Sequence, residues 1–273
     1  MDAEENTADE NPLTVKHEIL RVNLGKEPAE RLKDEVIIED RMELYVNDKH
    51  YATFSFSPSK IKELAVGHLL AEGIIDKPED IVGLKLSKGR VSVRLTEKPK
   101  PWFQGKPQTI LTACGGGALR IPPALLMRAR RTKDASSFRL KPQTIFKAVE
   151  TLNSQACIFR RTGGTHASAL LDENGIVIAF SEDVGRHNAI DKVIGEAALN
   201  GVDFGKTLLA STGRLTFEMA VKAGFVGIPV IVSISAPTDK GIKIAEAFGL
   251  TLIGFARGRR FNVYTHPERI EST

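Results

Sequence analysis

Cysteine is almost absent from this sequence. The 273 residues include two cysteines, too few for a disulfide framework, which favours the reducing cytoplasm over an oxidising compartment. No stretch approaches the roughly 18 uncharged apolar residues that a transmembrane helix requires. The N-terminus is acidic and lacks the basic start and apolar run of a secretory signal. We therefore expect a cytoplasmic protein that has no contact with a membrane.

Several motifs of well-known chemistry are also missing. The sequence has no GxxxxGK[ST] phosphate loop, no GxGxxG fingerprint, no HExxH, no paired CxxC and no zinc-deaminase signature. The six histidines are not spaced as metal ligands, so no metal site is expected. His68 lies on a predicted helix and is expected to be packed or on the surface. His187, beside Arg186, is the histidine that we favour for proton transfer or ligand contact.

The charge is moderately basic outside the first ten residues. Those ten hold five acids and no Lys or Arg, which leaves 38 basic and 29 acidic residues (34 less 5) in the rest of the chain. Such a body suits an anionic partner, although a solubilising surface gives the same balance. A nucleic-acid binder is less favoured, because the chain has one Trp and three Tyr and no motif that joins aromatic and basic residues.

The residue pattern predicts a disordered acidic tail over 1–12, an N-terminal α+β part over 13–133 and an α/β part over 134–273, with a soft boundary at 131–136. In the first part, Asn47-Asp48 is predicted to turn a hairpin and Pro58 to begin a helix that ends near Gly73. In the second, a helix is predicted from Pro142 and a hairpin about Asn174-Gly175. Short apolar strands then alternate with helices, which predicts a mostly parallel sheet covered on both faces.

Cys114 is the strongest candidate for chemistry. It follows an extended apolar run and precedes three glycines, Gly115–Gly117, which leave the thiol accessible and the loop free to move. Backbone amides or nearby arginines would favour the reactive thiolate. A buried, inert cysteine is the alternative. Cys157, within the apolar run of residues 155–159, is predicted to be a core residue on a strand.

Three glycine-containing turns lie at strand boundaries of the second part. They are 161–166, 181–188 and 211–214, and in a parallel α/β sheet such turns collect at the carboxyl edge, where ligands bind. A helix N-terminus with hydroxyls, free amides and an arginine suits an anion. Each turn alone could equally be a structural cap.

A basic hexapeptide follows the last predicted strand. It consists of Phe255, Ala256, Arg257, Gly258, Arg259 and Arg260. Its three guanidiniums could bind phosphates through paired hydrogen bonds, although a solvated basic loop has the same composition.

Three motifs together resemble one known family, the FdhD family of formate dehydrogenase accessory sulfurtransferases. They are the runs 162–167 (TGGTHA) and 182–192 (EDVGRHNAIDK), and 211–214 (STGR) followed by Glu218-Met219; the helix segment 63–73 also matches. The similarity extends in order from about Leu44 to Pro267. It implies a fold similar to that of cytidine deaminase without the zinc, and a homodimer.

The resemblance also implies a function. Such proteins accept sulfur from a cysteine desulfurase as a cysteine persulfide and pass it to the molybdenum of bis-molybdopterin guanine dinucleotide for formate dehydrogenase. The persulfide cysteine aligns with Cys114, and the cofactor is expected at Phe255–Arg260, where a guanine nucleotide would mimic it.

The sequence departs from the family at one position. Gly117 stands where the family commonly has a second loop cysteine. One thiol is still sufficient to carry a persulfide, whereas a disulfide within this loop is excluded. Two alternatives therefore stay open: a non-catalytic chaperone of the molybdenum cofactor, and a thiol hydrolase that uses Cys114 and His187.

Overall fold

A computed structural model of the protein describes residues 13–96, 108–110 and 138–271. The predicted tail (1–12), the predicted boundary (131–136) and Cys114 lie outside the described residues. Within the described part, no helix has the length and apolar character needed to cross a membrane.

The described residues form thirteen strands and six α-helices. The strands are β1 Thr14–Asn23, β2 Lys26–Ile37, β3 Asp40–Val46, β4 Lys49–Phe56, β5 Ile81–Ser87, β6 Arg90–Leu95, β7 Gln108–Ile110, β8 His166–Asp172, β9 Val177–Asp183, β10 Thr207–Ser211, β11 Val230–Ser233, β12 Thr251–Arg257 and β13 Arg260–Val263. The helices are α1 Ile61–Ala71, α2 Pro142–Gln155, α3 Cys157–Thr162, α4 Arg186–Leu199, α5 Phe217–Val226 and α6 Asp239–Phe248. The predicted α/β fold is confirmed.

The N-terminal sheet has five described strands in the order β5-β6-β3-β4-β7. The predicted turn between β3 and β4 is confirmed, since Asn47 and Asp48 have φ angles of 47° and 64°. Both angles lie in the left-handed region, which asparagine and aspartate tolerate better than most residues and which matches the twist of a hairpin. Strands β1 and β2 form a separate two-stranded sheet that the sequence pattern did not predict.

The C-terminal sheet has the order β13-β12-β11-β10-β8-β9. The prediction of a mostly parallel sheet is wrong, because most pairs of neighbouring strands in this sheet are antiparallel. Strands β10, β11 and β12 are parallel, but β8, β9 and β13 each run antiparallel to their neighbours. The hairpin turns that produce β9 and β13 reverse the chain without a crossover helix, so the strands added at both ends are antiparallel.

Helices cover both faces of this sheet. On one face, α2 buries Ile145, Ala148, Val149 and Leu152 against the apolar side chains of β8, β10, β11 and β12. The other face packs against α4, α5 and α6 in a larger cluster, which also includes α1 and the N-terminal sheet. The two sheets are therefore joined through one apolar core.

Helices α1 and α4 touch backbone to backbone at two glycines. A Cβ on Gly67 would lie 1.8 Å from the carbonyl oxygen of Asp191, and one on Gly195 would lie 1.9 Å from that of Glu63. No side chain fits at either position, so this contact fixes how the N-terminal helix sits on the C-terminal sheet.

Candidate functional site

The three glycine-containing turns meet at one edge of the C-terminal sheet, as the sequence predicts. Strand β8 runs antiparallel to both β9 and β10, so the start of β8 lies beside the ends of its two neighbours. His166 pairs with Asp183 at the end of β9, and Ser168 pairs with Ser211 at the end of β10. The loop after β11 reaches the same edge, where Ser235 accepts a hydrogen bond from the amide of Phe255. We call this edge, formed by residues 163–167, 184–187, 211–214, 234–235 and 255–260, the candidate edge.

Thr212 ties two of these turns together. Its Oγ1 accepts a hydrogen bond from the Ala167 amide at 3.0 Å and lies 3.2 Å from His166 Nδ1. On the next strand, Ser233 Oγ donates to the Gly213 carbonyl at 2.6 Å. These contacts hold the turns in fixed positions relative to one another, as a preorganised binding site requires.

A cavity of about 490 Å³ opens at the candidate edge. Its walls come from α2, α3 and the turns, and they are mostly apolar, with Asn153, Arg160, Thr165, His166 and Thr212 as the polar exceptions. The full lining is Leu152, Asn153, Ala156, Phe159, Arg160, Gly163, Gly164, Thr165, His166, Ala167, Val184, Thr212 and Ile234. An apolar cavity with a few polar groups is the usual form of a site for a small organic ligand.

One wall of the cavity depends on the buried carboxylate of Glu182. Its two oxygens accept hydrogen bonds from the amides of Ile158 and Phe159, at 2.9 and 2.7 Å, and from Thr165 Oγ1 at 2.8 Å. The first amides of a helix have no partner within the helix, and here the carboxylate supplies one. Glu182 therefore holds α3 against the turn that begins β8.

The prediction for Cys157 is wrong. The residue is exposed at the start of α3 and not in a core strand, and its Sγ lies 3.1 Å from Arg160 Nη2. A short apolar run does not distinguish a strand from a helix by its periodicity, and here the helix is selected by a carboxylate distant in sequence. The other cysteine, Cys114, lies outside the described residues.

The basic hexapeptide spans the end of β12, a tight turn at Gly258 and the start of β13. Phe255 has a φ angle of 52° beside a β-bulge, a combination that redirects the strand at this point. Ala256 is fully buried in the apolar cluster that also contains the cavity residues Leu152, Ala156 and Ala167. The cavity and the hexapeptide therefore share one apolar cluster of the core.

The three guanidiniums of the hexapeptide are exposed. Arg257 lies over the Phe255 ring, 5.6 Å from its centroid. Within the described part of the chain, Arg259 and Arg260 have neither an ion-pair partner nor a hydrogen-bond acceptor. Their guanidiniums are therefore available to an anionic ligand, and the cofactor-binding role of the hexapeptide stays a prediction.

Arg186 and His187 begin α4 at the same edge. The side chain of Arg186 lies across Gly213, where a Cβ would be 2.8 Å from its Cδ, and its Nε is buried without a hydrogen-bond partner among the described residues. Burial, together with the positive charges of Lys222 and Arg186, lowers the pKa of His187 to about 4. His187 is therefore a neutral imidazole at neutral pH, able to donate from one nitrogen and accept at the other. Burial and Arg186 also lower the pKa of His166.

A network of buried charges lies behind this edge, between α1, α4 and α5. Lys222 Nζ contacts Asp191 Oδ1 at 2.8 Å and Glu72 Oε1 at 3.2 Å, and His68 Nδ1 lies 2.9 Å from Asp191 Oδ2. Burial opposes the charged form of each group. Nevertheless, Asp191 and Glu72 raise the pKa of Lys222, while Lys222 and His68 lower that of Asp191.

His68 is packed, one of the two environments expected for it. The roles of Asp191, Lys222 and Glu182 are not indicated by any sequence motif. Their positions in the chain carry no spacing signal, since residues 68, 191 and 222 meet only through the folded helix packing.

The fold and the edge define a class: a mixed α/β protein with a small-ligand cavity and a basic loop at one edge of its larger sheet. The chain belongs to the FdhD/NarQ family, whose model matches residues 37–271. It is 38% identical to a protein of Wolinella succinogenes (88% of this chain, 83% of that one) and 38% identical to one of Sulfolobus acidocaldarius (88% and 92%). Both relatives carry the name sulfur carrier protein FdhD.

A solved structure has the same fold. The crystal structure of a protein assigned as a formate dehydrogenase accessory protein of Desulfotalea psychrophila superimposes with a TM-score of 0.76 at 26% identity. The match covers 95% of this chain and all of that one. The resemblance that the sequence motifs indicate is therefore confirmed at the level of the family.

Proposed function

We propose that this protein is a sulfur carrier for formate dehydrogenase. In this proposal it accepts sulfur from a cysteine desulfurase as a persulfide on Cys114 and passes it to the molybdenum cofactor before the cofactor enters the enzyme. The observation that carries the proposal is the meeting of a small-ligand cavity and an unpaired arginine loop at one sheet edge, in a chain of the FdhD/NarQ family.

The first transfer is a thiol exchange. The Cys114 thiolate attacks the outer sulfur of the desulfurase persulfide; a new S–S bond forms at Cys114, the donor's S–S bond breaks, and the donor cysteine leaves as a thiolate. This step needs one thiol on the acceptor, so Gly117 in place of a second loop cysteine is compatible with it.

The cofactor is the cargo, and the candidate edge has groups that suit its nucleotide ends. A guanine dinucleotide has diphosphates, which suit the exposed guanidiniums of Arg257, Arg259 and Arg260, and planar bases, which suit a mostly apolar cavity. Arg186, whose buried Nε has no hydrogen-bond partner in the described part of the chain, is a further group for a phosphate oxygen. We therefore place the nucleotide ends, and GDP as their mimic, at this edge.

The test is mass spectrometry of the protein after incubation with a cysteine desulfurase and cysteine. We expect one added sulfur on the Cys114 peptide, removable by a reducing agent, and none in the Cys114→Ala variant. Cys157→Ala is the matched control, because it removes the exposed thiol and leaves Cys114 in place. It should load as the parent protein does.

Two results would count against the proposal. Sulfur found only on Cys157 would mean that Cys157, and not Cys114, is the carrier thiol. Absence of any sulfur adduct, together with normal GDP binding, would favour the non-catalytic cofactor chaperone instead.

A further inference from the structure

Strand β5 is the outer strand of the N-terminal sheet. Among the described strands it pairs with β6 alone, so its other edge is open. Val93, which lies opposite Leu84, turns its carbonyl to the far side of β6 and accepts a hydrogen bond there from the Asn47 amide. The backbone groups of Leu84 therefore point away from β6, and so do those of Leu86, two residues further along. An open edge of this kind can accept another strand.

An apolar groove of about 300 Å³ lies beside β5, on the face of the sheet that packs against α1. Its walls include Ile81, Leu84 and Leu199, and Lys62 is its charged exception. At the end of the strand Leu86 leaves further apolar surface open, since it is 49% exposed. A groove with exposed apolar surface at its end suits the apolar side chains of another protein.

A second groove, of about 390 Å³, lies on the opposite face of the same strand. Its charged side chains are Lys85 and Arg94, with Asp48 as the single carboxylate in its lining. Successive side chains of a strand point to opposite faces of a sheet. A strand added to β5 would therefore place every second side chain beside the apolar groove and the others beside the basic one.

The charge of the β5–β6 hairpin (81–95) has one sign. The hairpin contains four basic residues and no acidic one: Lys85, Lys88, Arg90 and Arg94. All four are exposed, and none of them has an ion-pair partner in the part of the chain that the structure describes. Unpaired cations along an open edge favour a segment that carries carboxylates.

A protein segment fits this edge better than a nucleic acid does. Single-stranded nucleic acids bind by stacking their bases on open aromatic rings. The aromatic ring beside this hairpin belongs to Tyr45, and the Arg90 guanidinium lies over it, 3.7 Å from its centroid. The apolar groove also offers nothing to a phosphate, whereas it suits the apolar side chains of a peptide.

We propose that the open edge of β5 is a docking site for a partner protein, which adds an extended segment of alternating acidic and apolar residues as a further strand. The segment pairs with residues 83–87, because the β-bulge between Ile81 and Gly83 ends the regular part of the edge. Its carboxylates lie toward Lys85 and Arg94, and its apolar side chains lie toward Leu84. This docking site is independent of the proposed sulfur transfer.

Fluorescence anisotropy with a labelled peptide of four Glu-Val repeats tests the charge pairing on the full chain. The variant K85E/R94E turns attractive contacts into repulsive ones, so it should bind the peptide about tenfold more weakly or worse. K206E/K240E is the matched control, because it changes the net charge equally at two exposed positions of the C-terminal part. It should bind as the parent protein does. Thermal midpoints close to that of the parent protein show that both variants are folded.

A proline tests whether the segment pairs through the backbone. Leu86→Pro removes an amide that points outward, at a half-exposed side chain, and an edge strand tolerates proline at such a position. Leu86→Ala is the matched control, because it keeps the amide and also loses the leucine side chain. We expect L86P to bind the Glu-Val peptide about tenfold more weakly than L86A. Equal affinities would overturn strand addition.

Two further ligands test the class of partner. A peptide of four Glu-Gly repeats keeps the charge without the apolar side chains, and a five-nucleotide thymidine strand carries the same number of charges on phosphates. Both should bind more weakly than the Glu-Val peptide, and equal affinity for either would overturn the proposal. Unchanged peptide binding in K85E/R94E would also overturn it. Binding that appears only when residues 1–12 are deleted would assign the edge to the chain's own acidic segment instead of a partner.

Discussion

Charged side chains packed between the helices differ from those on the candidate edge both in burial and in pairing. Between α1, α4 and α5, Asp191 and Lys222 are almost completely buried and are bound to each other. On the candidate edge, Arg259 and Arg260 are exposed and have no acceptor among the described residues. A buried charge that is paired within the fold contributes to the structure. An exposed charge without a partner at a preformed edge is available to bind a ligand.

The largest expected effect comes from breaking the buried network. Asp191→Asn removes the nearer of the two carboxylates that neutralise Lys222 and leaves the buried cation with Glu72 alone, so we expect a loss of about 3 kcal/mol in the free energy of unfolding. Urea denaturation measures it. The exposed Asp239, which faces Lys243 at 3.7 Å, is the control, and its change to Asn should cost less than about 0.5 kcal/mol. Equal losses in the two variants would contradict the contrast between buried and exposed charge.

The glycine contact between α1 and α4 comes next. Gly195→Ala adds a Cβ 1.9 Å from the Glu63 carbonyl, so the helices must separate, at a cost of about 3 kcal/mol. Gly83→Ala is the matched control, because its Cβ would lie 3.7 Å from the nearest atom. Its thermal midpoint should stay near that of the parent protein. A Gly195→Ala variant as stable as Gly83→Ala would show that the helices do not touch at this position.

A smaller effect is expected from His187 as the pH falls. The folded state holds the pKa of His187 at about 4, below the ordinary value of 6.5, so the unfolded chain binds the proton first. Stability is therefore lost as the pH falls below 6.5, by about 2 kcal/mol between pH 7 and pH 5. His187→Gln should lose that part of the pH dependence, as measured by urea denaturation at both pH values. Exposed His17→Gln is the control and should keep the parent slope.

The smallest effect on stability is expected at the hexapeptide. Replacing Arg257, Arg259 and Arg260 by alanine should change the free energy of unfolding by less than about 0.5 kcal/mol, since all three side chains are exposed. The same variant should bind GDP more weakly and with a flatter dependence on salt, as calorimetry would show. Alanine at the exposed Lys49, Lys85 and Arg94 of the N-terminal sheet removes equal charge and should leave GDP binding unchanged. Equal effects of the two triple variants would mean that net charge, and not this loop, binds the nucleotide.

Much of the fold follows from local sequence signals. The Asn47-Asp48 turn, the start of α2 at Pro142 and its apolar stripe appear in the structure as predicted. So does the meeting of the three glycine-containing turns at one edge, because strand direction and the position of each turn determine it.

The rest depends on contacts between distant residues. The hairpin of β1 and β2 has charged side chains on both faces and so lacks the alternating pattern of a half-buried sheet. Helix α3 depends on Glu182, more than twenty residues further along the chain, which accepts hydrogen bonds from its first amides. Which charged side chains are buried and which stay exposed is determined only when α1, α4 and α5 pack together.

Delivery of sulfur is the central claim, and a chase experiment tests it most directly. The protein is loaded with isotope-labelled persulfide, freed of the desulfurase, and mixed with cofactor and inactive formate dehydrogenase. The account predicts that label leaves Cys114 and appears in the enzyme as activity rises, and that the variant with alanine at Arg257, Arg259 and Arg260 transfers it more slowly. Label that stays on Cys114 while the enzyme becomes active would contradict it.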